Sequence, residues 1–134
     1  MLNCLLIRNA DLYAPEHMGV QDVLIAGEQI ARIDPSIDPG RLGLPLRVID
    51  ACGRKVIPGY VDQHVHIIGG GGESGPYSRT PEVQLSNVTC AGVTTLVGLL
   101  GTDGTGRHLE SVLAKARALE QEGITAYMLT GSYQ

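Results

Sequence analysis

The apolar and polar positions follow two different rhythms along the chain. In the first part, short apolar runs alternate with turn-like segments, and the runs at 4–7, 21–26, 29–33 and 47–50 are typical of β-strands. Gly27 and Glu28 separate the second run from the third, which predicts a hairpin. The segments 34–40 and 43–45 contain too much proline for a helix or a central strand. Residues 1–54 are therefore predicted to form a small β-sandwich-like domain.

From residue 55 onward the pattern changes to strand, helix, strand, helix, strand. The first strand ends near residue 66, a helix is predicted to start at Thr80-Pro81-Glu82, and 93–100 is continuously apolar and β-branched. An apolar stripe at helical spacing then predicts an amphipathic helix that ends at Gly123, and a third strand begins at 124. The stripe consists of Leu109, Val112, Leu113, Ala116 and Leu119. Residues 55–134 are thus predicted to form an α/β unit with a parallel sheet.

His64 and His66 stand one residue apart at the end of the first of these strands. Side chains two positions apart on a strand point to the same face, so both imidazoles can converge on one metal ion. Asp62 shares their parity and is expected to orient them or to act as an outer ligand, whereas Val61 and Val65 are expected to face the other way. A bare His-x-His is more often two ordinary histidines. Here the context favours a metal site, because Pro58-Gly59 precedes the strand and glycines 69–72 follow it without bulk that would block access.

Polar side chains follow each of the three predicted strands. Glu73 comes after the first, Thr102 and Asp103 after the second, and Tyr133 after the third. The carboxyl ends of parallel strands meet at one rim, which is where α/β folds bind ligands. Each residue also has a simpler interpretation: Glu73 as a solvated carboxylate, Thr102 and Asp103 as caps of the second helix, and Tyr133 as a core tyrosine. For Asp103 we favour the cap.

Composition and short motifs argue against several classes of function. The chain has 134 residues and a formal net charge of −4, which gives no reason to expect nucleic acid as a partner. No apolar run is long enough to cross a bilayer and no amino-terminal leader is recognisable, so we expect no membrane association and a cytoplasmic protein. The glycine run lacks the Gly-Lys-Ser/Thr of a phosphate-binding loop. Cys4, Cys52 and Cys90 have no metal-knuckle spacing and are interpreted as small buried hydrophobes.

Several of these segments resemble one known superfamily. Pro58-Gly-Tyr-Val-Asp-Gln-His-Val-His66 is similar to the first-strand signature of the amidohydrolase superfamily, whose members are (β/α)8 TIM-type barrels preceded by a small β domain. The blocks that run from Asp62 to Glu73, from Arg79 to Glu82, from Val97 to Asp103 and from Met128 to Tyr133 resemble its isoaspartyl (β-aspartyl) dipeptidase branch. The resemblance implies that the chain holds the small β domain and about the first three β/α units of such a barrel.

The resemblance also implies a function. Members of this branch are binuclear zinc hydrolases that cleave the β-peptide bond of isoaspartyl dipeptides with a metal-bridging hydroxide. By position, His64 and His66 would bind the more buried of two zinc ions, and Glu73, with the backbone of Gly71, would hold the α-amino end of the substrate. Thr102 would help to bind the substrate, and Tyr133 would hydrogen-bond the polarised carbonyl oxygen and the tetrahedral intermediate.

The chain departs from the pattern of the branch in what it lacks. The family adds a carboxylated lysine, two histidines and an aspartate from later strands, and the chain is roughly half the ~250 residues usual for a (β/α)8 barrel. We therefore expect an amino-terminal fragment that is inactive and unstable alone. The full-length protein would be a homo-oligomer. Two alternatives stay open: another amidohydrolase of the dihydroorotase, hydantoinase or deacetylase type, and a non-catalytic scaffold on the same fold.

Overall fold

The structure, a computed structural model, describes residues 4–43 and 45–131. It divides into two units, Met1–Pro58 and Gly59–Gln134, and each is described by itself. Both units contain β-strands, and the two α-helices of the described residues lie in the second, so the architecture is mixed α/β with strands dominating.

The first unit is built on one five-stranded mixed sheet. β2 and β3 continue β1 as an antiparallel meander, while β4 and β5 pair with β1 in parallel, which gives the order β3-β2-β1-β4 with β5 also against β1. Side chains of β1 and β2, together with Ile37, supply buried residues of this unit. The strands are β1 (Cys4–Tyr13), β2 (His17–Ala26), β3 (Gln29–Asp34), β4 (Leu46–Asp50) and β5 (Lys55–Val56).

The hairpin predicted at Gly27 and Glu28 is present between β2 and β3. Ala26 pairs with Gln29, so the turn contains only two residues, and Gly27 has a φ of 62°. A two-residue hairpin needs positive φ in the turn, which glycine adopts without steric cost. Sequence reasoning located this element because the turn chemistry is local.

The unit boundary differs from the predicted one. The sequence pattern starts the second domain at residue 55, but Lys55 and Val56 pair with Asp11 and Leu12 of β1 and so belong to the first sheet. The division falls after Pro58 instead. Pro58 and Gly59 separate this short strand from the next one, because proline lacks the N–H that would continue a ladder.

The second unit is a parallel three-stranded sheet in the order β6-β7-β8, with a helix after each of the first two strands. Buried side chains from strands and helices form a common core that includes the fully buried Ile67, Leu96, Val112 and Leu119. The elements are β6 (Tyr60–Val65), α1 (Leu85–Cys90), β7 (Val93–Gly98), α2 (Leu109–Gln121) and β8 (Thr125–Met128). This confirms the predicted alternation and the parallel sheet.

The apolar stripe of α2 packs as predicted except at its margin. Val112, Ala116 and Leu119 are buried, and Leu109 packs against the same core. Leu113 is 39% exposed. It lies at the edge of the apolar arc, where a helix turns from core to solvent.

α1 starts later than the sequence pattern predicts. The prediction caps the helix at Thr80, but the helix begins at Leu85 with Gln84 as its cap residue, whose backbone N–H donates to the Asn87 side-chain oxygen at 3.2 Å. Thr80 is used elsewhere, because its hydroxyl and its backbone N–H both bond to Gly70. A tertiary contact thus overrides a local cap signal.

No helix among residues 4–43 and 45–131 is both long and apolar enough to cross a membrane.

Candidate functional site

The carboxyl ends of the three parallel strands lie side by side. Val65 of β6 aligns with Gly98 of β7, and Gly98 aligns with Met128 of β8. The ladder continues one step further, since Leu99 N–H donates to Val65 and Leu129 N–H donates to Gly98. The segments that follow the strands therefore start at one edge of the sheet, as predicted from the sequence.

His64 and His66 lie close together at this edge. Their ring centroids are 5.4 Å apart and the rings meet edge to face at 78°. His64 is exposed, whereas His66 is partly buried. The spacing of the two histidines therefore does bring both imidazoles to one place.

Asp62 does not share their face in the predicted way. It aligns with Leu96, a core residue, and it lines a cavity beneath α1 together with Val65. The ladder between β6 and β7 is irregular between Asp62 and Val65, so one extra residue of β6 breaks the two-residue alternation. The Asp62 carboxylate instead accepts the backbone N–H of His64 at 3.1 Å. The prediction of Asp62 as a ring-orienting partner is wrong, and its contact is with the backbone.

Two glycines make room for the His66 ring. A Cβ added at Gly101 would lie 2.8 Å from both Cε1 and Nδ1 of His66, and one added at Gly70 would lie 3.2 Å from its Cγ. Gly101 also has a φ of 83°, which side chains larger than hydrogen rarely adopt. The imidazole is thus packed between the segment after β6 and the segment after β7.

The Nδ1 atom of His66 is buried and has no hydrogen-bond partner within the described residues. Buried polar atoms are almost always paired, so an unpaired imidazole nitrogen beside a second histidine fits a metal ligand. His64 and His66 therefore suit a zinc ion by donor type and proximity. Within residues 4–43 and 45–131 no group of three or more His, Cys, Asp or Glu side chains converges to hold a metal. Two histidines are fewer donors than the three or four protein ligands of a zinc site.

The glycine run folds back against residues 78–81. A Cβ at Gly69 would lie 2.2 Å from the Thr80 carbonyl oxygen, and one at Gly71 would lie 2.4 Å from the Ser78 carbonyl oxygen. Both contacts are with backbone, so neither position accepts a side chain without movement of the chain. These glycines allow two backbone segments to approach closely, and they place Glu73 at the end of the loop.

Glu73 and Thr102 form a direct contact between the first and second strand ends. The Thr102 hydroxyl donates to a Glu73 carboxylate oxygen at 2.8 Å. The pKa of Glu73 is lowered from its ordinary value, first by a hydrogen bond from its own backbone N–H and then by the Thr102 hydroxyl. Burial raises this pKa by less than either hydrogen bond lowers it, and electrostatic interactions with His66 and with Arg107 lower it by smaller amounts. These hydrogen bonds therefore favour the ionised form of the carboxyl group.

Asp103 does not cap the second helix. It pairs with the Arg79 guanidinium and accepts the backbone N–H of Gly106 at 2.6 Å. The residue at the cap position of α2 is His108, whose side chain makes no capping bond. The predicted cap is wrong because Arg79, distant in sequence, takes the carboxylate.

Arg107 is a residue of this region that sequence reasoning missed. Its Nη1 donates to the Gly71 carbonyl at 3.0 Å and its Nη2 to the Gly70 carbonyl at 2.9 Å. Gly71, predicted to contribute its backbone to the site, thus has a carbonyl that already accepts from an arginine. No local pattern marks Arg107, because its partners lie 36 and 37 residues away. Tyr133, the remaining predicted residue, lies outside the described residues.

A cavity of about 590 Å³ lies beside these loops and has a mixed charged lining. Arg79, Glu82, Arg107 and Lys115 contribute to it, and Lys115 bonds Glu82 at 3.1 Å. Neither His64 nor His66 lines this cavity. It is distinct from the histidine pair, and its charged groups already have partners.

The chain is similar to β-aspartyl dipeptidases, dihydroorotases and dihydropyrimidinases. The β-aspartyl dipeptidase of Fervidobacterium islandicum AW-1, solved in complex with β-Asp-Leu dipeptide, matches with 40% identity and a TM-score of 0.89 over 99% of this chain and 34% of that chain. Dihydroorotase of Staphylococcus aureus strain MRSA252 is 35% identical over 133 residues, which is 92% of this chain and 30% of that protein. Dihydropyrimidinase of Brevibacillus agri NCHU1002 matches with 25% identity and a TM-score of 0.63, over 93% of this chain and 26% of that chain. No protein-family model matches.

The chain spans about a third of the length of the dipeptidase and the dihydroorotase that it matches.

Proposed function

We propose that this chain, which resembles the β-aspartyl dipeptidases of the amidohydrolase superfamily, belongs to a metal-dependent hydrolase that cleaves the β-peptide bond of isoaspartyl dipeptides. The observation that carries the proposal is the hydrogen bond from the Thr102 hydroxyl to the Glu73 carboxylate, at the strand-end edge where the histidine pair also lies. An isoaspartyl dipeptide keeps a free α-ammonium group, separated from the scissile carbonyl by the α-carbon and the Cβ methylene, and a carboxylate is a suitable acceptor for that cation. The likeness to the structure bound to β-Asp-Leu supports the same substrate class.

Each residue has a defined part in the proposal. His64 and His66 would hold a zinc ion, and the two-zinc site that the resemblance implies would need further ligands in addition to these two histidines. When bound, the metal would polarise the scissile carbonyl and lower the pKa of water toward neutrality. Glu73 would bind the α-ammonium and Thr102 would keep its carboxylate oriented. Tyr133 is proposed to hydrogen-bond the carbonyl oxygen as charge develops on it.

The broader arrangement of the protein is also part of this proposal. The second unit would form the first three β/α units of a (β/α)8 barrel, and the first unit would belong to the small β domain. We further propose that the complete gene product is a cytoplasmic homo-oligomer. The S. aureus match and the dihydropyrimidinase matches keep a cyclic-amide hydrolase as the second candidate.

Glu73 separates the two candidates, because dihydroorotate and hydantoins have no ammonium group for it to bind. The complete gene product would be assayed with β-aspartyl-leucine, α-aspartyl-leucine, dihydroorotate and hydantoin. We expect hydrolysis of β-aspartyl-leucine alone, with Glu73→Gln raising KM by about tenfold through loss of a charge-assisted hydrogen bond. Glu120→Gln, at an exposed position of α2, is the matched control and should leave KM unchanged. Activity on a cyclic amide with no effect of Glu73→Gln would replace the dipeptidase assignment with the second candidate.

A further inference from the structure

Arg107 donates hydrogen bonds to two consecutive carbonyl groups of the glycine loop, which comprises residues 69–72. Its two terminal nitrogens donate to Gly71 and Gly70 at 3.0 and 2.9 Å, and its side chain is partly buried. A guanidinium presents two parallel N–H groups in a rigid fork, so it can hold two neighbouring carbonyls at a fixed orientation. A lysine carries the same charge but lacks this geometry.

The backbone N–H groups of the loop are hydrogen-bonded as well. Gly70 N–H donates to the Thr80 hydroxyl at 2.9 Å, and Gly72 N–H donates to the Ser78 hydroxyl at 3.1 Å. Four consecutive glycines have more backbone freedom than any other sequence of that length, so such a loop keeps one shape only when it is bonded from both sides. Arg107 supplies the hydrogen bonds to the carbonyl groups of the loop.

The glycine loop lies next to His66 and Glu73, the two side chains that matter for the proposed reaction. Gly70 lies against the His66 ring, and Glu73 follows Gly72 directly. A shift of Gly70 or Gly71 would therefore change where the Glu73 carboxylate stands relative to the histidines. Because the Gly70 and Gly71 carbonyls already accept from a cation, they are also poor acceptors for a second one.

We propose that Arg107 is a positioning residue that fixes the glycine loop so that a substrate ammonium group is bound by Glu73 and not by the carbonyls of the loop. This inference rests on the proposed function, which supplies the ammonium-bearing substrate. Arg107 itself does not contact the reacting atoms in this assignment. It acts on the position and selectivity of Glu73.

The test compares two inhibitors that differ only in the ammonium group. L-aspartate carries the α-amino group and succinate lacks it, so the ratio of their inhibition constants measures how well the site recognises that group. The complete gene product would be prepared as wild type, Arg107→Gln, Arg107→Lys and Arg117→Gln. Arg117 is an exposed residue of α2 and serves as the control for loss of one arginine.

We expect Arg107→Gln and Arg107→Lys to weaken inhibition by L-aspartate by about fivefold, the effect of one or two lost hydrogen bonds, and to leave inhibition by succinate unchanged. Neither variant should weaken L-aspartate further when Glu73 is already Gln, because both changes act on the same interaction. Arg117→Gln should match wild type. If Arg107→Gln fails to fold, Arg107→Lys decides alone.

The outcomes are distinguishable. Equal weakening of both inhibitors, no weakening of either, or additivity with Glu73→Gln would overturn the role of Arg107. Absence of β-aspartyl-leucine hydrolysis in the wild-type protein would instead overturn the proposed function, and the assignment of Arg107 would fall with it.

Discussion

Thr102 and Glu73 are joined by a 2.8 Å hydrogen bond although they lie 29 residues apart in the sequence. Each follows a different strand of the parallel sheet, so this bond connects the first two strand ends at the edge that also carries the histidine pair. The hydrogen bond holds the Glu73 carboxylate in a defined orientation.

Replacing Thr102 with Val should shift the acid side of the pH profile of the complete gene product. The hydroxyl helps to hold the pKa of Glu73 below its usual value, so the carboxylate stays ionised to lower pH. Ammonium binding is present above that pKa and is lost as the pH falls through it. Without the hydroxyl the pKa rises, so kcat/KM for β-aspartyl-leucine should fall by about two- to tenfold and its acid limb should move to higher pH. Thr125→Val, on β8, is the control, and an unmoved acid limb would contradict the role of Thr102.

Replacing Gly101 with Ala should displace the His66 ring and reduce metal binding. The new Cβ would lie 2.8 Å from two ring atoms, closer than real Cβ atoms approach their neighbours. Gly123→Ala is a matched control, because Gly123 also has a positive φ of 99° but open space around its Cβ position. Both variants should lose about 1 kcal/mol of stability from backbone strain. Only Gly101→Ala should lower bound zinc, measured by elemental analysis, and activity. Equal zinc content in the two variants would show that the ring tolerates the methyl group.

Replacing Asp22 with Ala should strongly destabilise the first unit. The side chain is buried at 2% exposure and accepts the backbone N–H groups of Asn9 and Ile37, both at 2.9 Å. The Arg8 Nε atom, itself buried, lies 3.6 Å from the same carboxylate. Truncation leaves the two backbone N–H groups without an acceptor and Arg8 without its charge partner, so we expect a loss of about 2–4 kcal/mol in the free energy of unfolding. Thermal unfolding of the complete gene product would measure it, with Glu28→Ala in the exposed hairpin turn as control. A change in Tm no larger than that of the control would refute this.

The 134-residue chain expressed alone should associate rather than remain a monomer. β6 and β8 are the edge strands of the sheet in the second unit, and both edges expose large apolar side chains. These are Tyr60, Val61, Tyr127 and Leu129, each more than half exposed. Unpaired strand edges with apolar side chains promote association, so a charge on the edge should reduce it. Size-exclusion chromatography with light scattering should show oligomers, and Tyr127→Lys should raise the monomer fraction. A monomer with a sharp two-state melt would contradict this prediction.

Local signals in the sequence were sufficient for several of the elements and for part of the site. The two-residue turn at Gly27, the apolar stripe of α2 and the one-residue spacing of His64 and His66 depend on neighbours within a few positions, so the chain itself specifies them. The resemblance to the β-aspartyl dipeptidases could be predicted for the same reason, since its motifs are contiguous.

Only the tertiary structure decided the contacts between segments that are distant in the sequence. Arg79 takes Asp103 away from the predicted helix cap, Thr80 bonds the glycine loop instead of starting α1, and Arg107 reaches carbonyls 36 and 37 residues back. The irregularity in β6 that turns Asp62 toward α1 likewise depends on the register against β7. Such choices depend on which partner lies within hydrogen-bond distance after folding, and no local propensity encodes that distance.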